Sequence, residues 1–110
     1  MDKDFVAVDK PNNAGSKHMT VIPAKNGIYV FKARARAVGN GQPSPSMWLQ
    51  IIVNGTTLKS TGDVGWIDGA NEIELSAAEP VIEGSIYDVM ALSGNRNADA
   101  QGVELEGQRA

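Results

Sequence analysis

The sequence of 110 residues contains no cysteine, one histidine and few aromatic residues. Without cysteine, the chain can form neither disulfides nor thiolate nucleophiles nor cysteine-ligated metal sites. The only histidine, His18, has no second histidine with which to build a zinc site, and no catalytic motif surrounds it. No segment is long and apolar enough for a membrane-spanning helix, and residues 1–5 carry charges where a secretory signal needs an apolar core. We therefore expect no membrane partner.

The charged and polar residues form no recognisable catalytic or ligand-binding pattern. A formal net charge of −3 gives no reason to expect a nucleic-acid partner, since phosphates require a concentrated basic surface. No serine lies in a nucleophile-elbow pattern, and the oxygen-rich residues 95–99 lack the downstream glutamate of a calcium loop. We predict that the protein is not an enzyme and that it has no catalytic residue, no cofactor and no bound metal.

Residues 27–37 form the most regular pattern in the chain, because apolar residues alternate with charged ones. The apolar set comprises Tyr29, Phe31, Ala33, Ala35 and Ala37, and the charged set comprises Lys32, Arg34 and Arg36. Successive side chains of a strand point to opposite faces of the sheet. We therefore predict a strand of an antiparallel sheet with one buried and one solvated face. The alanines fit equally beneath a tryptophan of the same subunit or at an interface between subunits.

A hairpin is predicted where residues 47–53, rich in apolar and β-branched residues, lead directly into Asn54-Gly55. This pair is preferred in type I′ turns, because both central residues need positive φ. Residues 56–60 are then the returning strand. The alternation also predicts strands at residues 72–76, within residues 81–92 and at residues 103–106, with a break at residues 77–80 and a loop at residues 93–102.

Residues 1–16 mix charges with proline, asparagine and glycine, and residues 5–8 are their only apolar patch. We interpret this segment as a flexible N-terminal arm, which either frays or becomes ordered on docking to a partner. Residues 17–110 then form one domain. Several short strands separated by turns predict an all-β fold, an antiparallel β-sandwich of the jelly-roll type.

Three motifs follow one another in this predicted domain. Residues 23–31 place a proline and a glycine before an aliphatic-tyrosine-x-phenylalanine strand, residues 53–55 read aliphatic-asparagine-glycine, and residues 83–89 enter a strand through a glycine. Together they resemble the superfamily of complement-head and tumour-necrosis-factor-like jelly rolls. The resemblance implies a homotrimer that binds its partners through its outer surface or loops. The polar residues 103–107 depart from the aromatic closing strand of that superfamily.

A small non-enzymatic jelly roll with an N-terminal arm suits a structural protein of a virus particle. Our hypothesis is a bacteriophage capsid decoration protein on the virion surface, assembled in the host cytoplasm, whose residues Phe5, Val6 and Val8 dock on capsid protein. The alternative is a receptor- or carbohydrate-binding tip domain of a phage fibre or a similar trimeric adhesion module. In that case Trp48 or Trp66 would offer a stacking surface to a cell-surface glycan.

Overall fold

A computed structural model describes residues 5–10, 15–39, 46–62, 64–65, 70–96 and 98–110 of the chain. Within these ranges the secondary structure consists of strands and turns. In chain order the strands are β1 (Phe5–Lys10), β2 (Ser16–Pro23), β3 (Gly27–Gly39), β4 (Ser46–Val53), β5 (Thr56–Ser60), β6 (Val64–Gly65), β7 (Ala70–Val81), β8 (Tyr87–Arg96) and β9 (Ala98–Arg109). They form two antiparallel sheets that pack as a sandwich, so the predicted fold class is confirmed.

The larger sheet has the strand order β1-β2-β8-β4-β5, and β6 also pairs with β4. The smaller sheet has the order β7-β3-β9, with the long strand β3 at its centre. The hairpin between β4 and β5 has the predicted geometry, because Asn54 has φ 49° and Gly55 has φ 81°. Positive φ at both central residues is the mark of a type I′ turn, whose twist matches that of the flanking strands.

The core between the sheets follows the predicted alternation. In β3, Tyr29 and Phe31 are completely buried, whereas Lys32 and Arg34 are exposed. The other strands also direct alternate residues into the core, since successive side chains leave a strand on opposite sides. The buried apolar residues are Met19, Val21, Tyr29, Phe31, Ala33, Ala35, Met47, Leu49, Ile51, Val53, Leu75, Ala77, Val81, Val89, Ala91, Val103 and Leu105.

A bulge in β9 keeps this alternation in phase. The pairing of β9 with β3 shifts by one residue between Arg34 and Arg36. Gly102 lies in the bulged part of β9 with φ 56°, a conformation that glycine adopts without steric cost. After the bulge, Val103 and Leu105 are buried, as their alternation predicts.

The C-terminal end of β9 is fastened to the start of β3. The Arg109 guanidinium donates a hydrogen bond from Nη2 to the hydroxyl of Tyr29 at 3.0 Å and one from Nη1 to the carbonyl of Asn26 at 3.4 Å. Its Cζ also lies 4.9 Å from the centroid of the Tyr29 ring, within the range of a cation–π interaction. The buried tyrosine and the last strand therefore hold each other in place.

Two of the predicted interruptions are wrong. β7 continues through Pro80, which lies opposite Ile28 of β3. A proline is tolerated in an edge strand, where its missing N–H can face away from the ladder. The predicted loop at residues 93–102 is also mostly strand, since β8 extends to Arg96 and β9 begins at Ala98. This segment is polar, but its backbone pairs with β4 and β3. These hydrogen bonds stabilise the strand conformation more than the polar composition disfavours it.

The structure also differs from the predicted flexible arm. Residues 5–10 form strand β1, an edge of the larger sheet, with Phe5 opposite Pro23 and Lys10 opposite His18. The short apolar patch of this segment pairs with the edge of β2, a partner that local sequence does not identify. The backbone of Phe5, Val6 and Val8 therefore belongs to the sandwich, and their role in partner binding stays a prediction.

Candidate functional site

The outer surface of the larger sheet carries an unusual set of side chains for a surface. They come from alternate positions of β2, β4 and β8, opposite in direction to the buried core residues of the same strands. All are half-buried except Asp88, which is exposed. We call this surface the Trp48 face and define it by His18, Thr20, Trp48, Gln50, Ile52, Asp88, Met90, Leu92 and Gly94. On the same side of β2, Ser16 is buried opposite Leu92, and Ile22 is 40% exposed.

The indole of Trp48 lies against the sheet because of the residue beside it. Its partner across the β4–β8 ladder is Gly94. A Cβ atom added to Gly94 would overlap Cζ2 and Cε2 of the indole, so the ring occupies the space that a side chain would otherwise fill. The glycine allows the indole to rest on the backbone of β8 while part of the ring remains exposed to solvent. The result is an aromatic platform at one end of the face.

The two rows next to this platform combine apolar and polar side chains. Gln50 lies opposite Leu92 in the first row, and Ile52 lies opposite Met90 in the second. On the other side of β8, His18 is the neighbour of Met90. Rows on one face are two residues apart, which corresponds to about 7 Å along the strands. The row nearest to the platform therefore contains the Gln50 amide, which has both donor and acceptor atoms, and it is flanked by Ser60 of β5 and Ser16 of β2.

The opposite end of the Trp48 face is closed by hydrogen bonds. The hydroxyl of Thr20 donates to Oδ1 of Asp88 at 3.2 Å. The backbone N–H of Asp88 donates to Oδ1 of Asn54 at 2.8 Å, and the backbone N–H of Asn54 donates to the carbonyl of Asp88 at 2.8 Å. The hairpin turn is thus tied to β8, which fixes the register of β4 and with it the position of Trp48.

The outer surface of the smaller sheet is quite different, and we call it the charged face. Its central strand supplies the predicted basic stripe, but acidic residues of both edge strands flank it. The charged face comprises Lys32, Arg34, Arg36, Glu72, Glu74, Glu104 and Glu106. Arg34 lies at the centre, with Nε 3.1 Å from Glu74 and 3.4 Å from Glu72, and Nη1 3.7 Å from Glu104. The cations and carboxylates neutralise one another, so this face is not a concentrated basic surface for nucleic acid.

A cavity of about 410 Å³ also adjoins the smaller sheet. It is lined by Lys17 of β2 and by residues 32–34, 74–76 and 103–106. Three cationic and three carboxylate side chains are among these residues, so the cavity does not favour a ligand of either charge. We regard the Trp48 face as the better candidate site, because it combines an aromatic platform with apolar and hydrogen-bonding groups.

The predicted site residues have different outcomes. Trp48 lies on a surface, as a stacking residue must. Trp66 and residues 1–4 fall outside the described residues, and for Phe5, Val6 and Val8 only the backbone is described. The oxygen-rich segment 95–99, considered for calcium, includes residue 97, which also falls outside them. Among the described residues, no three histidine, aspartate or glutamate side chains cluster as a metal site would require.

Sequence reasoning did not identify Gly94, Leu92, Met90 or Ile52 as part of a surface site. A signal was present, because residues 47–53 and 89–92 are apolar at both odd and even positions. A strand that is apolar throughout is typically covered on both faces. The half-buried outer side chains of β4 and β8 are the consequence. The described residues also contain no helix with the length and apolarity of a membrane span.

Comparisons with known proteins concern the fold. No protein-family model matches the chain, and no curated protein matches its sequence. A solved structure of a family 35 carbohydrate-binding module from an environmental isolate is 17% identical, with a TM-score of 0.48, and the match covers 94% of this chain and 77% of that one. The EclA C-terminal domain, a sugar-binding protein, is 15% identical with a TM-score of 0.52, and the match covers 96% and 81%. At 15% identity, the similarity to the EclA domain shows a shared fold.

Proposed function

We propose that this protein is a non-catalytic carbohydrate-binding module that recognises its ligand on the Trp48 face. The observation that carries the proposal is the indole of Trp48, which covers Gly94 and belongs to a side chain that is only half-buried. A sugar ring presents a flat apolar side formed by its C–H groups, and an exposed aromatic ring is a matching surface for it. The fold similarity to the sugar-binding EclA domain supports this proposal.

The neighbouring polar groups complete the chemistry that a sugar needs. Sugar hydroxyls lose water on binding and require hydrogen-bond partners in its place. Gln50 is two positions from Trp48 on the same side of β4, and its amide both donates and accepts. A pyranose ring stacked on Trp48 would bring its hydroxyls within reach of this side chain. Trp48 would act as the platform and Gln50 as an orienting group.

The fold similarity favours this function over capsid decoration. The superfamily resemblance, the homotrimer, the capsid partner and the virion location stay predictions, and no contact of the described residues favours them. The proposed module can still belong to a trimeric adhesion protein, as the alternative hypothesis assumed. The proposal itself requires only one chain, because the described residues of the Trp48 face come from three strands of the same sheet.

The test is a glycan array followed by calorimetric titration of the best ligand, with the two tryptophans compared. We expect the Trp48→Ala protein to bind at least about tenfold more weakly, because buried aromatic anchors carry much of the energy of such contacts. Trp66→Ala, the same substitution at the other tryptophan, is the matched control and should keep its affinity. Far-ultraviolet circular dichroism checks that both variants remain folded.

Other outcomes would contradict the proposal. If no glycan on the array binds, carbohydrate recognition is refuted. If Trp66→Ala loses the affinity and Trp48→Ala keeps it, the protein binds sugar at a different place and the Trp48 face is not the site.

A further inference from the structure

The Trp48 face continues beyond the platform as an apolar strip, which we define as Leu92, Met90 and Ile52. Leu92 and Met90 follow one another on the outer side of β8, about 7 Å apart. Ile52 lies beside Met90 across the β4–β8 ladder. All three side chains are half-buried, although their strands already bury the opposite side in the core. The strip begins one row from Trp48, so it is continuous with the proposed sugar platform.

The chemistry of this strip does not suit a second sugar ring. Aliphatic side chains have neither the flat π surface on which a sugar stacks nor polar atoms for its hydroxyls. A polar ligand that covered these three side chains would lose hydrogen bonds to water, and replacements exist only at the flanking Gln50 and His18. An apolar chain would lose none, and it would cover side chains that are now in contact with water.

The ends of the strip define how long an apolar ligand can be. At one end are Trp48 and Gln50, and at the other is the hydrogen-bonded pair Thr20 and Asp88. From Gly94 to Asp88 is a distance of six residues along β8, or about 20 Å. This length accommodates one sugar ring followed by a chain of several carbons. The side chains of the strip carry no charge, in contrast to the charged face, so an uncharged occupant is complementary to it.

We propose, on the basis of the carbohydrate-binding function proposed above, that the ligand is a glycoside with an apolar aglycone. The sugar stacks on Trp48 beside Gln50, and the alkyl or aryl group of the same molecule lies along Leu92, Met90 and Ile52. The class of ligand is therefore an amphiphilic glycoside, bound one molecule at a time.

Matched pairs of glycosides test this inference. The probes are the methyl and octyl β-D-glucopyranosides, the methyl and octyl β-D-galactopyranosides and the methyl and octyl α-D-mannopyranosides, each titrated below its micelle concentration. For the preferred sugar we expect the octyl glycoside to bind at least about tenfold more tightly than the methyl glycoside, since each buried methylene contributes to affinity. Leu92→Thr should reduce this ratio several-fold, and Ile52→Thr is a second variant with the same expectation.

The control is Ile82→Thr, which makes the same kind of change at an isoleucine that is 63% exposed and lies outside the strip. It should leave the octyl-to-methyl ratio unchanged.

Equal affinity of methyl and octyl glycosides would refute the amphiphilic ligand and leave carbohydrate binding intact. Absence of binding by all six glycosides would overturn the amphiphilic ligand, and the glycan array decides separately whether carbohydrate binding stands. An octyl preference that survives in both strip variants would also overturn this inference. Light scattering could also overturn the inference, by showing that the wild type is an oligomer and Leu92→Thr a monomer. A second copy of the chain would then cover the strip.

Discussion

The two outer faces of the sandwich differ although the same alternation of side chains produces both. On the charged face, cations of β3 lie between carboxylates of β7 and β9, and Arg34 contacts three of them. On the Trp48 face, the described side chains of β2, β4 and β8 include an indole and three aliphatic groups that remain half-buried. The charged groups of the charged face form ion pairs with one another. The Trp48 face retains apolar surface that a ligand can cover.

This difference shows which part of a strand pattern concerns folding and which part concerns function. The inward residues of both sheets have the same role, since all of them fill one apolar core. The outward residues are not constrained by that core. An apolar outward residue is therefore more informative about binding than an apolar inward one.

The largest expected effect is a loss of stability, caused by a substitution in the core that both sheets share. Phe31→Ala should lower the free energy of unfolding by about 3–5 kcal/mol, because Phe31 is completely buried and its loss leaves a cavity. Urea denaturation followed by circular dichroism measures the change. Ile82→Ala, at an exposed position, is the control and should stay within about 0.5 kcal/mol of the wild type. A near-neutral Phe31→Ala would mean that the inward face of β3 has been wrongly assigned.

The next largest effect is a loss of glycan affinity, and we expect it only for changes on the Trp48 face. Gly94→Ala introduces a Cβ into the space of the Trp48 indole, so the ring must leave the sheet and the platform is lost. We expect affinity for the array-selected glycan to fall at least about tenfold, close to the effect of Trp48→Ala. In the Trp48→Ala protein the same change should have no further effect on binding, which makes a double-mutant cycle informative. Simple additivity of the two changes would contradict the proposed role of Gly94.

A smaller effect concerns the turn that positions β4. Asn54→Ala should destabilise the protein by about 1–2 kcal/mol, because alanine disfavours φ 49° and cannot accept the hydrogen bond from the Asp88 N–H. Asn54→Gly keeps the backbone freedom and loses only the side-chain acceptor, so it should recover part of the loss. Thermal unfolding of the three proteins separates the two causes. Equal stability of the alanine and glycine variants would assign the whole effect to the hydrogen bond.

The smallest effect is expected on the charged face. Arg34→Gln should cost less than about 1 kcal/mol, since the Arg34 side chain is 49% exposed and its ion pairs are weakened by solvent. The cost should decrease further as salt concentration rises, because salt screens surface charges. Glycan affinity should not change, in contrast to Gly94→Ala. If Arg34→Gln weakened glycan binding as strongly, the assignment of binding to the Trp48 face would be wrong.

Local patterns predicted a considerable part of this fold. The alternation in residues 27–37 correctly assigned the buried side of β3 through Ala35, and the Asn54-Gly55 pair correctly located the hairpin. The breaks predicted at Pro80 and at residues 93–102 were wrong. Local composition does not show which strand will lie beside a segment and form hydrogen bonds with it. β1 was missed for the same reason. Its residues gain order from hydrogen bonds to β2, a partner that the sequence does not identify.

The sequence by itself determined the all-β class, the inward and outward sides of its regular strands and the type I′ turn, because these depend on period-two geometry and on local backbone preferences. It also supplied Trp48 as a candidate for stacking. Only the tertiary structure decided that Gly94 lies under the indole, that Leu92, Met90 and Ile52 continue the same surface, and that the basic stripe is flanked by carboxylates. These juxtapositions join residues distant in the chain, and they follow from strand order and register, which are set by the packing of the whole sandwich.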